Sequence, residues 1–266
     1  MNRAPDQKMK FDIVTLFPDY FNLSLKQSLI GKAVNKQLFD IGIVQLRDFA
    51  VDKHATTDDT PFGGGGGMVM KVEPIDRCLQ NLGHQRRAVS SGDEKTRIVL
   101  TSAAGKPFDQ KMAIRYSLCD RITIICGHYL GVDERLLELY DIDEVSIGDY
   151  ILSGGEPAAA VMVDAIGRLI PGVLGNFESA LEDSHMNDLL GAPCYTRPAE
   201  YESFSVPDAL MSGNLAEIKA WRRREAICKC ATTRPDLLER AELNEDERAF
   251  ARKLRLDIEH SERNEQ

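Results

Sequence analysis

Four stretches of this chain carry residue types that packing alone does not require. Five consecutive glycines, residues 63–67, stand between Phe62 and Met68. Glycine costs conformational entropy on folding and fills no core, so either an ordered ligand site or a plain flexible linker accounts for the run. A Walker-type phosphate loop is excluded, because no Lys-Ser or Lys-Thr follows these glycines. Residues 126–135 read Cys-Gly-His-Tyr-Leu-Gly-Val-Asp-Glu-Arg, so a strongly apolar run passes straight into Gly127, His128 and Gly131. Residues 147–156 place Gly148, Gly154 and Gly155 around apolar side chains, an arrangement that lets backbone approach a flat ligand and hydrogen-bond to its edges. Both segments fall where α/β sheets hold ligands, beyond the carboxyl ends of strands, although no G-x-G-x-x-G fingerprint is present. The fourth stretch is Glu182, Asp183 and Ser184, downstream of Arg168. Taken singly, an ordinary loop histidine is the plainer reading of His128. A solvated carboxylate and a surface ion pair are the plainer readings of Asp183 and Arg168.

The elements that must position these groups follow from periodicity. Short apolar runs alternate with amphipathic stretches over the first two thirds of the chain, which predicts an α/β sheet. Strands are expected at 11–17, 41–46, 97–101, 122–126 and 142–147, the fourth apolar enough to be central. Helices are expected at 73–82, 109–119, 133–140 and 156–170. A further helix after Pro18 would be capped by Asp19 and carry Leu23, Leu25, Leu29, Ile30, Val34 and Leu38. By itself this alternation suggests an open, doubly wound sheet. Residues 83–96 are polar and uneven and read as an exposed loop. After Pro171 and Gly172 the period is lost, and 173–187 suits an interdomain linker. Helical spacing returns at 216–230, 236–241 and 246–258. The organisation expected is therefore a short disordered tail (1–9), an α/β domain (10–172), the linker, and a small helical domain (188–266).

Composition narrows the function. At 43% apolar and 28% charged over 266 residues, this is an ordinary globular chain with enough length for a packed core. No run reaches the roughly 18 apolar residues of a membrane span, and the polar start lacks a secretory signal, so a cytoplasmic protein is expected. Six cysteines without a C-x-x-C pair argue against a disulfide framework. Cys228 and Cys230 would diverge by about 200° on a helix, wrong for sharing one metal ion, and no metal site is expected. The net charge of −9 argues against broad nonspecific nucleic-acid binding but leaves room for RNA held by local basic patches. A small-molecule enzyme would suit the acidic balance, yet no nucleotide or metal motif supports it.

In this order and spacing the segments resemble the TrmD family, the bacterial tRNA (guanine-N1)-methyltransferases. The residues that carry the resemblance are Phe11 to Pro18, Lys53 and His54 through Asp58 and Asp59, and Phe62 to Met70. They continue with Cys126 to Arg135, Ile147 to Glu156, Ile170 to Gly175, Glu182 to Ser184, Tyr195 to Pro198, and Trp221 with Arg222. The likeness extends from residue 10 to about 250. It implies a SPOUT-type α/β domain tied in a trefoil knot, a small all-helical C-terminal domain, and a homodimer that binds tRNA across both subunits. It implies S-adenosylmethionine held by Gly127, by Ile147, Gly148, Asp149, Tyr150, Ile151 and Leu152, and by Gly154, Gly155 and Ser102. Asp183 takes the role of general base at guanine N1 and Arg168 that of a charge stabiliser at O6, with a magnesium ion as an optional addition. Lys53, His54, Arg197, Arg222 and Arg223 are candidate RNA contacts, with Arg224 beside them. Two positions depart from the family pattern: Leu130 stands where a glutamate is common, and Ala103 where proline is frequent. A knotted methyltransferase for another RNA site and a noncatalytic RNA-binding relative are the alternatives.

Overall fold

The computed structural model describes residues 8–87, 95–175 and 183–264. The tail 1–7, residues 88–94 of the polar loop and residues 176–182 of the linker, Glu182 among them, lie outside the described residues. Contacts divide the chain into two units, Met1–Gly175 and Asn176–Gln266.

The first unit is built on five strands: β1 (Met9–Thr15), β2 (Phe39–Gln45), β3 (Thr96–Pro107), β4 (Arg121–Cys126) and β5 (Ile142–Ser146). They pair in the order β2-β1-β4-β3-β5, and every neighbouring pair is parallel. β4 sits in the middle, and from Ile122 to Cys126 every residue is buried, as a strand covered on both faces requires. Apart from the single turn Phe21–Ser24, the α-helices are α1 (Ser28–Asn35), α2 (Val72–Asn81), α3 (Gln110–Ser117), α4 (Arg135–Leu139) and α5 (Glu156–Gly167). α2 buries Ile75, Cys78 and Leu79 at helical spacing, and these meet Val14, Leu100 and Ile125 of the sheet and Leu136 and Tyr140 beside α4. Side chains alternate along a strand, so Ile13 and Ile124 face the other way, where α5 packs on β1 and β4.

Four expectations change here. Met9 is not tail: it pairs with Phe39 at the start of β1 and is fully buried. Val173 is buried too, so the first residues of the expected linker belong to the first unit. Asp19 caps no long helix; its Oδ1 accepts from Asn22 Nδ2 at 2.8 Å, and α1 begins only after Gln27. The step from Leu23 to Leu25 is two residues, which a helix cannot place on one face. Accordingly Leu25 is buried while Leu23 is 72% exposed. β3 also outruns its expected end. Thr101 and Lys106 both pair with Val145, so residues 102–105 bulge out of the ladder.

Charged groups are buried under the sheet. Asp12 on β1 is 1% exposed, and the Arg121 Nε and Nη2 atoms reach its carboxylate at 2.7 and 2.6 Å. Asp76 on α2 accepts from Tyr140 Oη at 2.7 Å, from Gln80 and from Arg86. Burial alone would raise its pKa, but these donors override it and hold the carboxyl at about 2. His84, after α2, places Nε2 2.7 Å from Thr123 Oγ1. Burial and then the Arg121 charge push its imidazole down to about 4, against the opposing pull of Asp12.

The second unit contains α6 (Leu215–Thr233), α7 (Pro235–Arg240) and α8 (Glu245–Asn264); each starts one residue before the expected helix, α6 and α8 run on past the expected ends, and α7 stops one residue short. The unit is not all-helical as expected, because Glu200–Tyr201 and Phe204–Ser205 pair as a short antiparallel hairpin. Leu189, Ile227, Cys230, Leu237, Leu243 and Ala251 form its core.

The unfolded chain protonates His84 near 6.5, the folded chain only near 4, so stability is lost as pH falls through that window. Urea midpoints measured at pH 7.5 and pH 5 should fall in the wild type. They should fall less in His84→Gln, whose amide can keep the bond to Thr123; an equal drop in both would remove His84 as a cause.

Candidate active site

The carboxyl ends of β3, β4 and β5 open into one cavity of about 550 Å³, within the range of small-molecule sites. Three backbone segments wall it: the bulge at Ser102, Ala103 and Ala104, the turn after β4 from Gly127 to Val132, and the loop after β5. Of the residues expected to hold a cofactor, Ser102, Gly127, Ile147, Gly148, Ile151, Leu152, Gly154 and Gly155 line this cavity. Asp149 and Tyr150 are on the same loop and exposed but outside the lining; the Tyr150 hydroxyl donates to the Ile147 carbonyl at 3.1 Å. His128 lines the cavity too.

The chain returns upon itself here. Gly155 N donates to the Gly127 carbonyl at 2.8 Å, and Gly127 N donates to Thr101 Oγ1 at 3.0 Å. A Cβ on Gly155 would stand 1.9 Å from Thr101 Oγ1 and 2.8 Å from the Gly127 nitrogen, and one on Gly154 would stand 2.1 Å from the His128 ring. Glycine is required at both positions by close approach.

A buried carboxylate fixes the same junction. Glu156, in the first turn of α5, is 3% exposed. Its Oε1 accepts from Thr15 Oγ1 at 2.5 Å, and His128 Nε2 lies 2.8 Å from Oε2 and 3.0 Å from Oε1. The end of β1, the turn after β4 and the start of α5 are thus joined through one side chain. Thr15, Thr101 and Glu156 were missed in the sequence; their signal was a polar residue ending an otherwise apolar strand, or a carboxylate following two glycines. Glu134 and Glu144 were missed as well and also line the cavity.

The five-glycine run lies beside this site without lining it. Gly63, Gly64, Gly65 and Gly67 have φ between +78° and +112°, a region that other residues rarely adopt. These positions favour glycine for their backbone conformation, and of the five only Gly67 has a neighbour, Leu130, within contact of a Cβ. The strand that follows is tied to the turn after β4: Met70 N donates to Gly131 O at 3.0 Å and Leu130 N to Met68 O at 3.0 Å. Leu130 lines the cavity and lies 3.1 Å from where a Gly67 Cβ would be. Ala103, the other departure, also lines the cavity.

The remaining candidates lie elsewhere. Arg168 is the C-cap of α5, partly buried, in the first unit. Asp183 is exposed, and its carbonyl accepts from Met186 N in a turn of the second unit. Lys53 and His54 are exposed in a turn organised by Asp52, which accepts from His54 N at 2.9 Å. Arg197 and Arg222 are exposed. Arg223 is committed within its unit: it forks onto Glu247 at 2.8 and 3.1 Å and donates to the Glu242 carbonyl at 2.7 Å. Arg224 lies 4.8 Å over the Phe250 ring.

A parallel sheet with a cavity of small-molecule size at its strand ends defines an α/β protein of the kind that holds ligands beyond the carboxyl ends of its strands. Comparison with known sequences gives the particular family. The profile of tRNA (guanine-1)-methyltransferase TrmD matches residues 9–240. A tRNA (guanine-N(1)-)-methyltransferase of Geobacter metallireducens is 50% identical over 246 residues, covering 92% of this chain and 98% of the relative. Enzymes of the same name from Brevibacillus brevis and Staphylococcus haemolyticus are 47% and 46% identical, each with at least 90% of this chain and 95% of the relative covered. The chain belongs to the TrmD family.

Gly155→Ala should lower stability by about 1–3 kcal/mol, the usual cost of overpacking, because the colliding atoms include backbone. Gly66→Ala, with open space around it and an ordinary φ, should be near neutral. Thermal unfolding of the pair checks this, and equal midpoints would contradict the close-approach argument.

Proposed function

We propose that this chain transfers the methyl group of S-adenosylmethionine to N1 of the guanosine immediately 3′ of the anticodon in tRNA. Its family membership gives the methyl transfer to a tRNA guanine. The observation that supports this cofactor is the cavity itself. It pairs apolar walls at Leu100, Val132, Leu137 and Ile151 with exposed backbone at Gly127 and the loop after β5, and it contains carboxylates. That combination fits an adenosine carrying a cationic tail. The bound cofactor would supply a methyl group activated by its sulfonium charge.

The chain's own groups do the rest. Guanine N1 carries a proton near neutral pH and is a poor nucleophile until the proton leaves. Asp183 takes it as general base, and the Arg168 guanidinium stabilises the charge that builds toward O6 through a charge-assisted hydrogen bond. The Ile147 to Leu152 loop, Gly154, Gly155 and the Ser102 bulge orient the cofactor, and positioning supplies much of the rate. The target base is turned out of its stack to reach the cavity.

Residues from 9 to about 175 serve as the knotted SPOUT-type, cofactor-binding domain. The return of Gly154 and Gly155 onto Gly127 supports a chain threaded through its own loop. Residues from about 188 onward form the helical tRNA-binding domain, with the exposed Arg197 and Arg222 on phosphates and Lys53 and His54 as further contacts. Arg223 is better read as the clamp between α6 and α8. A homodimer suits the apolar side chains exposed near the cavity mouth, such as Ile151 at 86% and Leu130 at 63%. Among the described residues no helix is long and apolar enough to cross a membrane. The reading places the protein in the cytoplasm with its tRNA. A magnesium ion is an optional partner that would arrive with the RNA, and we assign it no protein ligands.

The test is methyl transfer from labelled S-adenosylmethionine to two tRNA transcripts, one with guanosine 3′ of the anticodon and one with adenosine there. Label on the first alone is expected, and label on both would move the target elsewhere. Asp183→Asn should lose methyl transfer while binding S-adenosylmethionine normally by calorimetry; a loss of binding would overturn its role as base.

A further inference from the structure

The charge of the cavity lining is one-sided. Its ionisable residues are Glu134, Glu144, His128 and Tyr129, and among the described residues no lysine or arginine lines it. His128 is turned onto Glu156, so that pair is internally satisfied. Among the described residues, no side-chain hydrogen bond or ion pair engages the carboxylate of Glu134 or Glu144. Glu144 lies on β5 opposite Leu100, which also lines the cavity, and Glu134 directly precedes α4. The two carboxylates therefore stand on different elements around one space, close to the apolar surface of Leu137 and Val132. Apolar walls lower the local dielectric and lengthen the reach of each charge.

Resting on the cofactor reading above, we propose that Glu134 and Glu144 make this cavity selective for the cationic methyl donor over its demethylated product. S-Adenosylmethionine and S-adenosylhomocysteine share the adenosine, the ammonium and the carboxylate. They differ by one methyl group and by the positive charge on sulfur, so the donor has net charge +1 and the product none. Backbone hydrogen bonds to the shared parts bind both alike. Carboxylates in a partly enclosed cavity attract the shared ammonium alike in both ligands, so they discriminate between them only through the charged sulfur. Methyl transfer removes that charge, so the reaction itself weakens the hold of the site on its product. Glu134 and Glu144 are thus specificity residues that promote turnover by favouring exchange of product for fresh donor.

Calorimetric titration of the wild type with each ligand at low salt should show the donor bound about tenfold more tightly than the product. Glu144→Gln and Glu134→Gln keep size and shape. Each should cut that ratio about threefold or more, mainly by weakening the donor, with product affinity changed less than about twofold. Raising the salt should compress the wild-type ratio as well, a measurement that needs no variant to fold. Sinefungin, which carries an ammonium group near the position of the sulfonium, should follow the donor through all three proteins. Equal affinities for donor and product in the wild type, or a ratio unchanged in both variants, would overturn the charge selection alone. A wild type that binds none of these ligands would overturn the cofactor reading and this inference with it.

Discussion

A carboxylate cannot be left unsatisfied inside a protein, and the burial of Glu156 imposes that constraint on three separate pieces of this chain. Its partners come from the last residue of β1 and from the turn after β4, while Glu156 itself opens α5. A helix N-terminus favours negative charge, so the carboxylate is placed where the backbone also assists it. The satisfied group anchors the floor of the cavity. With His128 fixed on Glu156 and Gly155 bonded to Gly127, the turns after β4 and β5 become two sides of one wall.

This arrangement explains why the site is made of backbone and of glycine. Two loops that cross within hydrogen-bonding distance leave no room for a Cβ at Gly154 or Gly155. What remains exposed to a ligand is peptide edges, apolar walls and two unpaired carboxylates.

The second unit is organised differently. Its helices are joined by a compact apolar core and by the fork of Arg223 on Glu247, which spans α6 and α8. In the run at 222–224, Arg223 is therefore structural and Arg224 stacks on Phe250, while the residues Arg222 and Arg224 are both exposed. A row of like residues on a helix points in different directions, and only packing decides which of them faces solvent.

The sequence by itself determined the α/β alternation, the central burial of β4, the helical C-terminal stretch and the two glycine segments at the strand ends. These are set by local periodicity and by residues with few structural alternatives, so they are legible without coordinates. Ordered motifs also sufficed to indicate the family. Only the tertiary structure decided that Met9 is core, that Asp19 caps no long helix, that residues 102–105 bulge from β3, and that Glu134 and Glu144 share a cavity. It also decided that Thr15, His128 and Glu156 meet, although 141 residues separate the first from the last. Such contacts depend on strand order and register, which pair residues distant in the chain, and no local pattern of side chains encodes that pairing.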